Sequence, residues 1–181
     1  MMGKNDLLAQ EAFEDSVSLV VPPANGSEGD RNIFVPDEPG YQSFLYGPMP
    51  DHHHDWHLVT SAEEFLRNRK TGDAPFCLYL PLVLPHAPFT CPQPWYDLFD
   101  PDDLEPMRPG DLEGKPEFYR LIRESRRLDE LDESIFRKLR AVYLGMIAYV
   151  DDMVGRLLHT LEETGLAETT AVFMFSDHGE W

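Results

Sequence analysis

Ala171-Val172-Phe173-Met174-Phe175 followed by Ser176-Asp177-His178-Gly179 is the stretch on which the fold reading turns: five apolar residues lead into a short turn carrying a carboxylate and an imidazole. A continuous apolar run of this length is what a strand covered on both faces looks like, and in an open α/β sheet ligands bind outside the carboxyl ends of the strands. An Asp-His pair delivered there stands where a divalent metal would be held. A carboxylate oxygen and an imidazole nitrogen both suit such an ion, and Gly179 allows the backbone to turn tightly around it. The competing reading of the tetrapeptide is a turn in which Asp177 only accepts hydrogen bonds from backbone amides. On four residues alone the two readings are balanced.

Working outward, the chain repeats the helix-then-strand rhythm. Thr60 and Glu63 fit a capping box, and Ala62, Phe65 and Leu66 provide one apolar helix face before Gly72. Pro75 then opens a second apolar run, Phe76-Cys77-Leu78-Tyr79-Leu80, ending in Pro81 to Pro88 with His86 at its mouth. Ile135, Leu139, Val142, Met146, Tyr149, Met153, Leu157 and Leu161 recur close to every 3.6 residues, which predicts a helix of roughly eight turns. Asp132 is placed to cap its start and Gly165 its end. These elements predict an α/β fold, a mostly parallel sheet flanked by helices. If the two apolar strands are neighbours, His86 and the Asp177-His178 pair emerge at the same edge. His86, framed by Pro85 and Ala87-Pro88, could then present its imidazole to an anionic ligand as a donor or acid; taken alone it reads as a loop histidine with a backbone partner.

Residues 1 to 57 carry Pro22-Pro23, Asn25-Gly26, Pro36, Pro39-Gly40, Pro48 and Pro50, and read as an irregular lead-in with a strand or two such as Val17 to Val21. Residues 58–181 form the α/β part that carries the motifs. The Pro- and Asp-rich stretch from Thr90 to Gly114 suits a surface loop over a site rim. Asp151-Asp152 is no metal grip, because neighbours on a helix point about 100° apart. The run Asp51-His52-His53-His54-Asp55-Trp56-His57 has the look of a chelator but reads more simply as a solvent-facing loop. Arg120 to Glu133 reads as an exposed, charge-laced helical face.

Composition narrows the partners. A chain of 181 residues suggests one domain with a core of ordinary size, and its net charge of -18 argues against nucleic acid and anionic membrane surfaces. Cys77 and Cys91 match no zinc or redox spacing and read as two reduced thiols. The start of the chain is too polar for a signal-peptide core, and no apolar run reaches membrane-spanning length. The compartment stays open with the cytoplasm favoured, and the oligomeric state is undetermined.

Three segments together resemble the sulfatase branch of the alkaline-phosphatase superfamily: Pro75-Phe76 through Leu84-Pro85-His86-Ala87-Pro88-Phe89; Tyr143 through Tyr149-Val150-Asp151-Asp152-Met153-Val154-Gly155-Arg156-Leu157-Leu158; and Phe173 through Ser176-Asp177-His178-Gly179. The resemblance implies an alkaline-phosphatase-like, mostly parallel sheet between helices, and hydrolysis of a small-molecule sulfate ester. It implies that Asp177 and His178 are two ligands of a divalent cation and that His86 contacts the sulfate or the leaving oxygen. A formylglycine, made from a cysteine, is the nucleophile of that family.

The departures from the family pattern are as informative. Neither Cys77-Leu78-Tyr79 nor Cys91-Pro92-Gln93 fits the Cys-x-Pro-Ser-Arg-like segment of the modified cysteine, so no nucleophile is named and formylglycine is expected only in a full-length protein. The family's aspartate pair belongs upstream of Met1 and its lysine beyond Trp181, so the expectation is a catalytic domain incomplete at both ends, inactive and aggregation-prone by itself. Many sulfatases carry Asn where His178 stands. An imidazole is a poorer calcium ligand, which sets calcium against manganese as the cation. Histidine here also resembles choline-sulfatase-like and phosphonate-monoester-hydrolase-like members, which makes a phosphonate or phosphodiester hydrolase the alternative activity and a noncatalytic remnant the alternative class.

Overall fold

The structure, a computed structural model, describes residues 39–40, 44–70, 72–107 and 110–179. The Val17 to Val21 stretch and most of the irregular lead-in lie outside them. Three α-helices run through the described chain: α1 (His54–Arg67), α2 (Glu117–Ser125) and α3 (Glu133–Glu163). Short 3-10 turns stand at Trp95–Asp97, Pro101–Asp103, Leu128–Glu130 and Ala167–Thr169.

The long helix is where local sequence and structure agree most closely. The Asp132 carboxylate accepts from the Ser134 N–H at 2.8 Å, satisfying a donor that the first turn leaves without a helical partner. At the other end Gly165 adopts φ +72°, its N–H donates to the Glu162 carbonyl at 3.0 Å, and the Leu166 N–H reaches the Leu161 carbonyl at 2.9 Å. This is the paired Schellman closure, open to glycine because a left-handed residue carries no Cβ penalty there. Leu139, Val142, Met146, Tyr149 and Met153 are fully buried, as the 3.6-residue period requires. Asp151 and Asp152 are both exposed, in keeping with solvated charges rather than ligands.

α1 begins seven residues earlier than the Thr60 capping box predicts. Its start is capped by His53, whose Nδ1 accepts from the Asp55 N–H at 3.2 Å, and Thr60 sits inside the helix with its hydroxyl donating back to the Trp56 carbonyl at 3.0 Å. A Ser or Thr hydroxyl can serve either a cap or an interior carbonyl four residues back, and only the packed helix decides which. Residues 54–57, expected as loop, are therefore helical, and Asp55 is fully buried.

The described chain divides into two compact units. One contains His52–His86 and the residues from Val150 to 179; the other contains Ala87–Tyr149 and the described residues up to Asp51. In the first unit Leu58 and Ala62 of α1 form a core against which Phe65, Leu78, Leu80 and Leu157 pack. In the second, the residues around 89–96 face α3: Phe89 meets Tyr143 edge-on with ring centroids 6.2 Å apart, and Trp95 lies 4.6 Å from Tyr149. Gly145 makes that approach possible, since a Cβ there would stand 2.2 Å from the Trp95 carbonyl oxygen. The surface loop expected from Thr90 is thus corrected at its start, where Thr90, Cys91, Pro92 and Tyr96 are buried. The backbone there is held by residues 44–49, through Phe89 N–H to Phe44 O at 2.7 Å, Tyr46 N–H to Phe89 O at 3.2 Å and Met49 N–H to Cys91 O at 3.1 Å.

The expected α/β architecture, a mostly parallel sheet flanked by helices, is not what the described residues form. They contain no strand or sheet; their pairing of β type is limited to two isolated parallel bridges, Leu45 with Phe89 and Met49 with Pro92. Neither predicted strand takes part in a ladder. Residues 76–80 alternate, with Phe76, Leu78 and Leu80 partly covered and Cys77 and Tyr79 exposed, so one face packs on α1 and the other meets solvent. Residues 171–175 are exposed throughout, Phe173 at 85% and Phe175 at 76%. Continuous apolarity shows that a segment can be covered on two faces; a ladder also needs a neighbouring backbone to take its N–H and C=O groups, and a single segment does not encode that neighbour.

Candidate functional site

The Asp177-His178 turn builds its geometry from its own backbone. The His178 N–H donates to Asp177 Oδ1 at 3.0 Å, the Ser176 hydroxyl donates to the His178 carbonyl, and His178 Nδ1 lies 3.1 Å from the Gly179 carbonyl. If that last contact is a hydrogen bond, Nδ1 carries the proton and Nε2 is left as the ring's lone-pair nitrogen. Nε2 lies 3.8 Å from Asp177 Oδ2, and both side chains are solvent-exposed. The pair offers one carboxylate oxygen and one imidazole nitrogen on the same side of the turn, donor types that fit two positions of a divalent ion's shell. Gly179 has no positive φ and open space where a Cβ would sit, so the tight turn expected of it is not what this residue supplies.

His86 sits in a turn whose N–H donates to the Val83 carbonyl at 3.0 Å, and its side chain is exposed. The prolines on either side follow cis peptide bonds, Leu84-Pro85 and Ala87-Pro88. His86 and the Asp177-His178 turn belong to the same compact unit. The approach to His86 is anchored from α1, because the Val83 and Leu84 N–H groups both donate to Asp55 Oδ2 at 2.9 Å.

Asp55 is the most constrained ionisable group of that unit. His54 Nε2 lies 2.9 Å from its Oδ1 and His53 Nδ1 3.5 Å from its Oδ2, while the carboxylate itself has no exposed surface. Burial alone would raise its pKa; contacts with His53 and His54, the His53 charge and the Leu84 N–H outweigh that and hold the carboxyl well below the usual carboxylate range. Nearby, Arg156 of α3 reaches α1, with Nε donating to Glu63 Oε1 at 3.2 Å, Nη2 to Glu63 Oε2 at 2.5 Å and to Thr60 Oγ1 at 3.0 Å, and the guanidinium 3.9 Å from the Trp56 ring centroid. Glu63 is buried, so the pair is held away from screening solvent.

The sequence names His86 and Asp177-His178 as candidates but does not single out the Asp55 corner that holds the Val83 and Leu84 N–H groups ahead of the His86 turn. The legible signal was the alternation of histidine and aspartate just ahead of an amphipathic stretch, since a helix start draws side chains that can accept from its free N–H groups. Cys91, considered as a possible modified cysteine, is fully buried, and burial, then the Asp97 charge, pushes its thiol up to about 12. Cys77 is exposed within the 76–80 run.

Comparison with known proteins places this geometry in a family context. The sequence profile of the Sulfatase family matches residues 23–181. An arylsulfatase of Clostridium perfringens is 29% identical over 83% of the chain, and a sulfatase of Formosa agariphila is 31% identical over 72% of it. A choline-sulfatase of Rhizobium meliloti is 31% identical over 59% of the chain. The matched stretches make up 30%, 26% and 22% of those relatives' own lengths, so the chain spans less than a third of each.

Proposed function

The chain belongs to the sulfatase family, and on that premise we propose that it is part of a metal-dependent sulfatase-type hydrolase that cleaves a small-molecule sulfate monoester. Asp177 and His178 serve as two ligands of a divalent cation. When bound, such an ion stabilises charge on the nonbridging oxygens of the ester. His86 holds a proton for the departing alkoxide, and the clamp of Val83 and Leu84 on Asp55 sets where its turn begins. The observation that carries this reading is the exposed carboxylate and imidazole, 3.8 Å apart, in the third of three family-like segments.

A formylglycine does not fit either cysteine of the chain. Cys91 is sealed in the core with its thiol held protonated, and Cys77-Leu78-Tyr79 lacks the family's surrounding pattern, so no nucleophilic step is assigned to these residues. The isolated chain is accordingly expected to bind the cation without turning over substrate.

Two measurements test the proposal. Calcium and manganese are titrated separately into the chain, with Asp177→Asn and His178→Ala as variants; the imidazole favours manganese. Aryl-sulfate turnover is measured on the chain joined to its natural flanking sequence, where His86→Ala should lower kcat by about 10²-fold or more. Turnover of phosphonate or phosphodiester substrates with none of sulfate would move the reading to that alternative. Robust turnover by the 181 residues alone would overturn the division of labour proposed for them.

A further inference from the structure

Among the described residues, three metal-binding side chains also meet at the start of α1: the ligand atoms of His53, His54 and Asp55 all lie within 4.8 Å of one another. Ligand atoms about 2.1 Å from one ion, at tetrahedral or octahedral angles, stand about 3.0–3.4 Å apart. His54 Nε2 stands 2.9 Å from Asp55 Oδ1, close to that edge length; His53 Nδ1, 3.5 Å from Oδ2, now accepts the Asp55 N–H at 3.2 Å and would exchange that hydrogen bond for the ion.

The second observation comes from Asp55 itself. Its side chain is wholly buried, and its two oxygens are used unequally. Oδ2 accepts two backbone N–H groups, whereas Oδ1 makes no hydrogen bond of acceptable geometry even though His54 Nε2 is 2.9 Å away. A buried carboxylate oxygen without a hydrogen bond of good geometry is costly. A cation shared by this oxygen and the ring nitrogen removes that penalty. His53 and His54 keep 18% and 17% of their side-chain surface exposed, enough for an ion to reach them.

We propose that His53, His54 and Asp55 form a three-ligand site for a first-row divalent cation, with zinc as the preferred occupant. Two imidazoles and a carboxylate suit zinc rather than calcium, which wants six to eight oxygens. The site is separate from the Asp177-His178 turn and does not rest on the sulfatase reading. Its structural consequence runs through the other oxygen of Asp55: an ion on Oδ1 fixes the carboxylate whose Oδ2 holds Val83 and Leu84, just ahead of the His86 turn.

The test is a titration of zinc, and of cobalt(II) as a spectroscopic stand-in, at neutral pH into the metal-stripped 181-residue chain carrying Asp177→Asn and His178→Ala, which removes the other candidate cation ligands. One equivalent should bind, cobalt should develop the intense visible absorption of a low-coordinate nitrogen and oxygen site, and zinc should raise the melting temperature. Adding His53→Ala or His54→Ala to that chain should weaken binding by at least about tenfold, while adding His57→Ala should not. Because Asp55→Asn risks unfolding the chain, the two histidine variants, checked for helix content by circular dichroism, decide the matter. Absence of zinc binding would mean that a proton on His54 bridges to Asp55 instead, and would overturn the proposal. Binding that survives both histidine variants would overturn it equally.

Discussion

The corner at Asp55 and the turn at Asp177-His178 use the same side-chain types in opposite surroundings. Asp55 is buried and bonded to backbone 28 and 29 residues away, whereas Asp177 is bonded to its immediate neighbour and stands in solvent. The difference teaches that a carboxylate beside histidine does two kinds of work. Enclosed, it ties distant segments together at a high cost if removed; open, it contributes almost nothing to stability and is free to take a ligand.

The largest effect should come from breaking the enclosed side. Asp55→Ala leaves the Val83 and Leu84 N–H groups without their acceptor, and should cost about 3–5 kcal/mol in urea denaturation. Asp177→Ala should stay within about 0.5 kcal/mol. Equal losses for the two variants would erase the distinction.

Next, Gly145→Ala places a Cβ against the Trp95 carbonyl, a backbone atom that cannot rotate away, and should cost about 3 kcal/mol by the same measurement. Gly179→Ala, with open space around it, should be nearly silent.

The ion pairs give a similar contrast. Glu63→Gln removes the charge that faces Arg156 in a mostly enclosed pair and should cost about 2 kcal/mol. Glu124→Gln, in the exposed pair with Arg120 on α2, should cost less than about 0.5 kcal/mol, and added salt should shrink that further.

The smallest effect at neutral pH concerns the thiols. Cys91 has a raised folded-state pKa, so folding favours its protonated form; its contribution is intact below the unfolded value of about 8.5 and is lost as pH rises from there toward 12. Cys77 should be alkylated readily at pH 8 while Cys91 stays unlabelled, as read by mass spectrometry. Fast labelling of Cys91 in the native chain would break the assignment of 89–96 to a closed core.

How much of this could be read in advance depended on how local the cause was. The Asp132 and Gly165 ends of α3 were legible because capping joins residues two to five apart. Of the charge run Arg120 to Glu133, the exposed helical face was legible as far as Ser125, because i,i+4 pairs such as Arg120 with Glu124 are written along one helix face, but beyond it the chain leaves the helix through a left-handed Arg127 and a 3-10 turn. The start of α1 was not, because Thr60 could serve a cap or an interior carbonyl. His53 takes the cap, and Asp55 beside it is held by residues far along the chain.

By itself the sequence determined the long amphipathic helix and its caps and the three segments that resemble the family, all of which rest on spacing or residue type. Tertiary structure alone decided that Phe76 to Leu80 pack on one helix, that Ala171 to Phe175 stand uncovered, and that one aspartate among several histidines is buried. The reason is the same each time. A segment's apolarity and its donors set what it can bury or bind, but the neighbour that completes a ladder, a core face or a hydrogen-bond set comes from elsewhere in the chain.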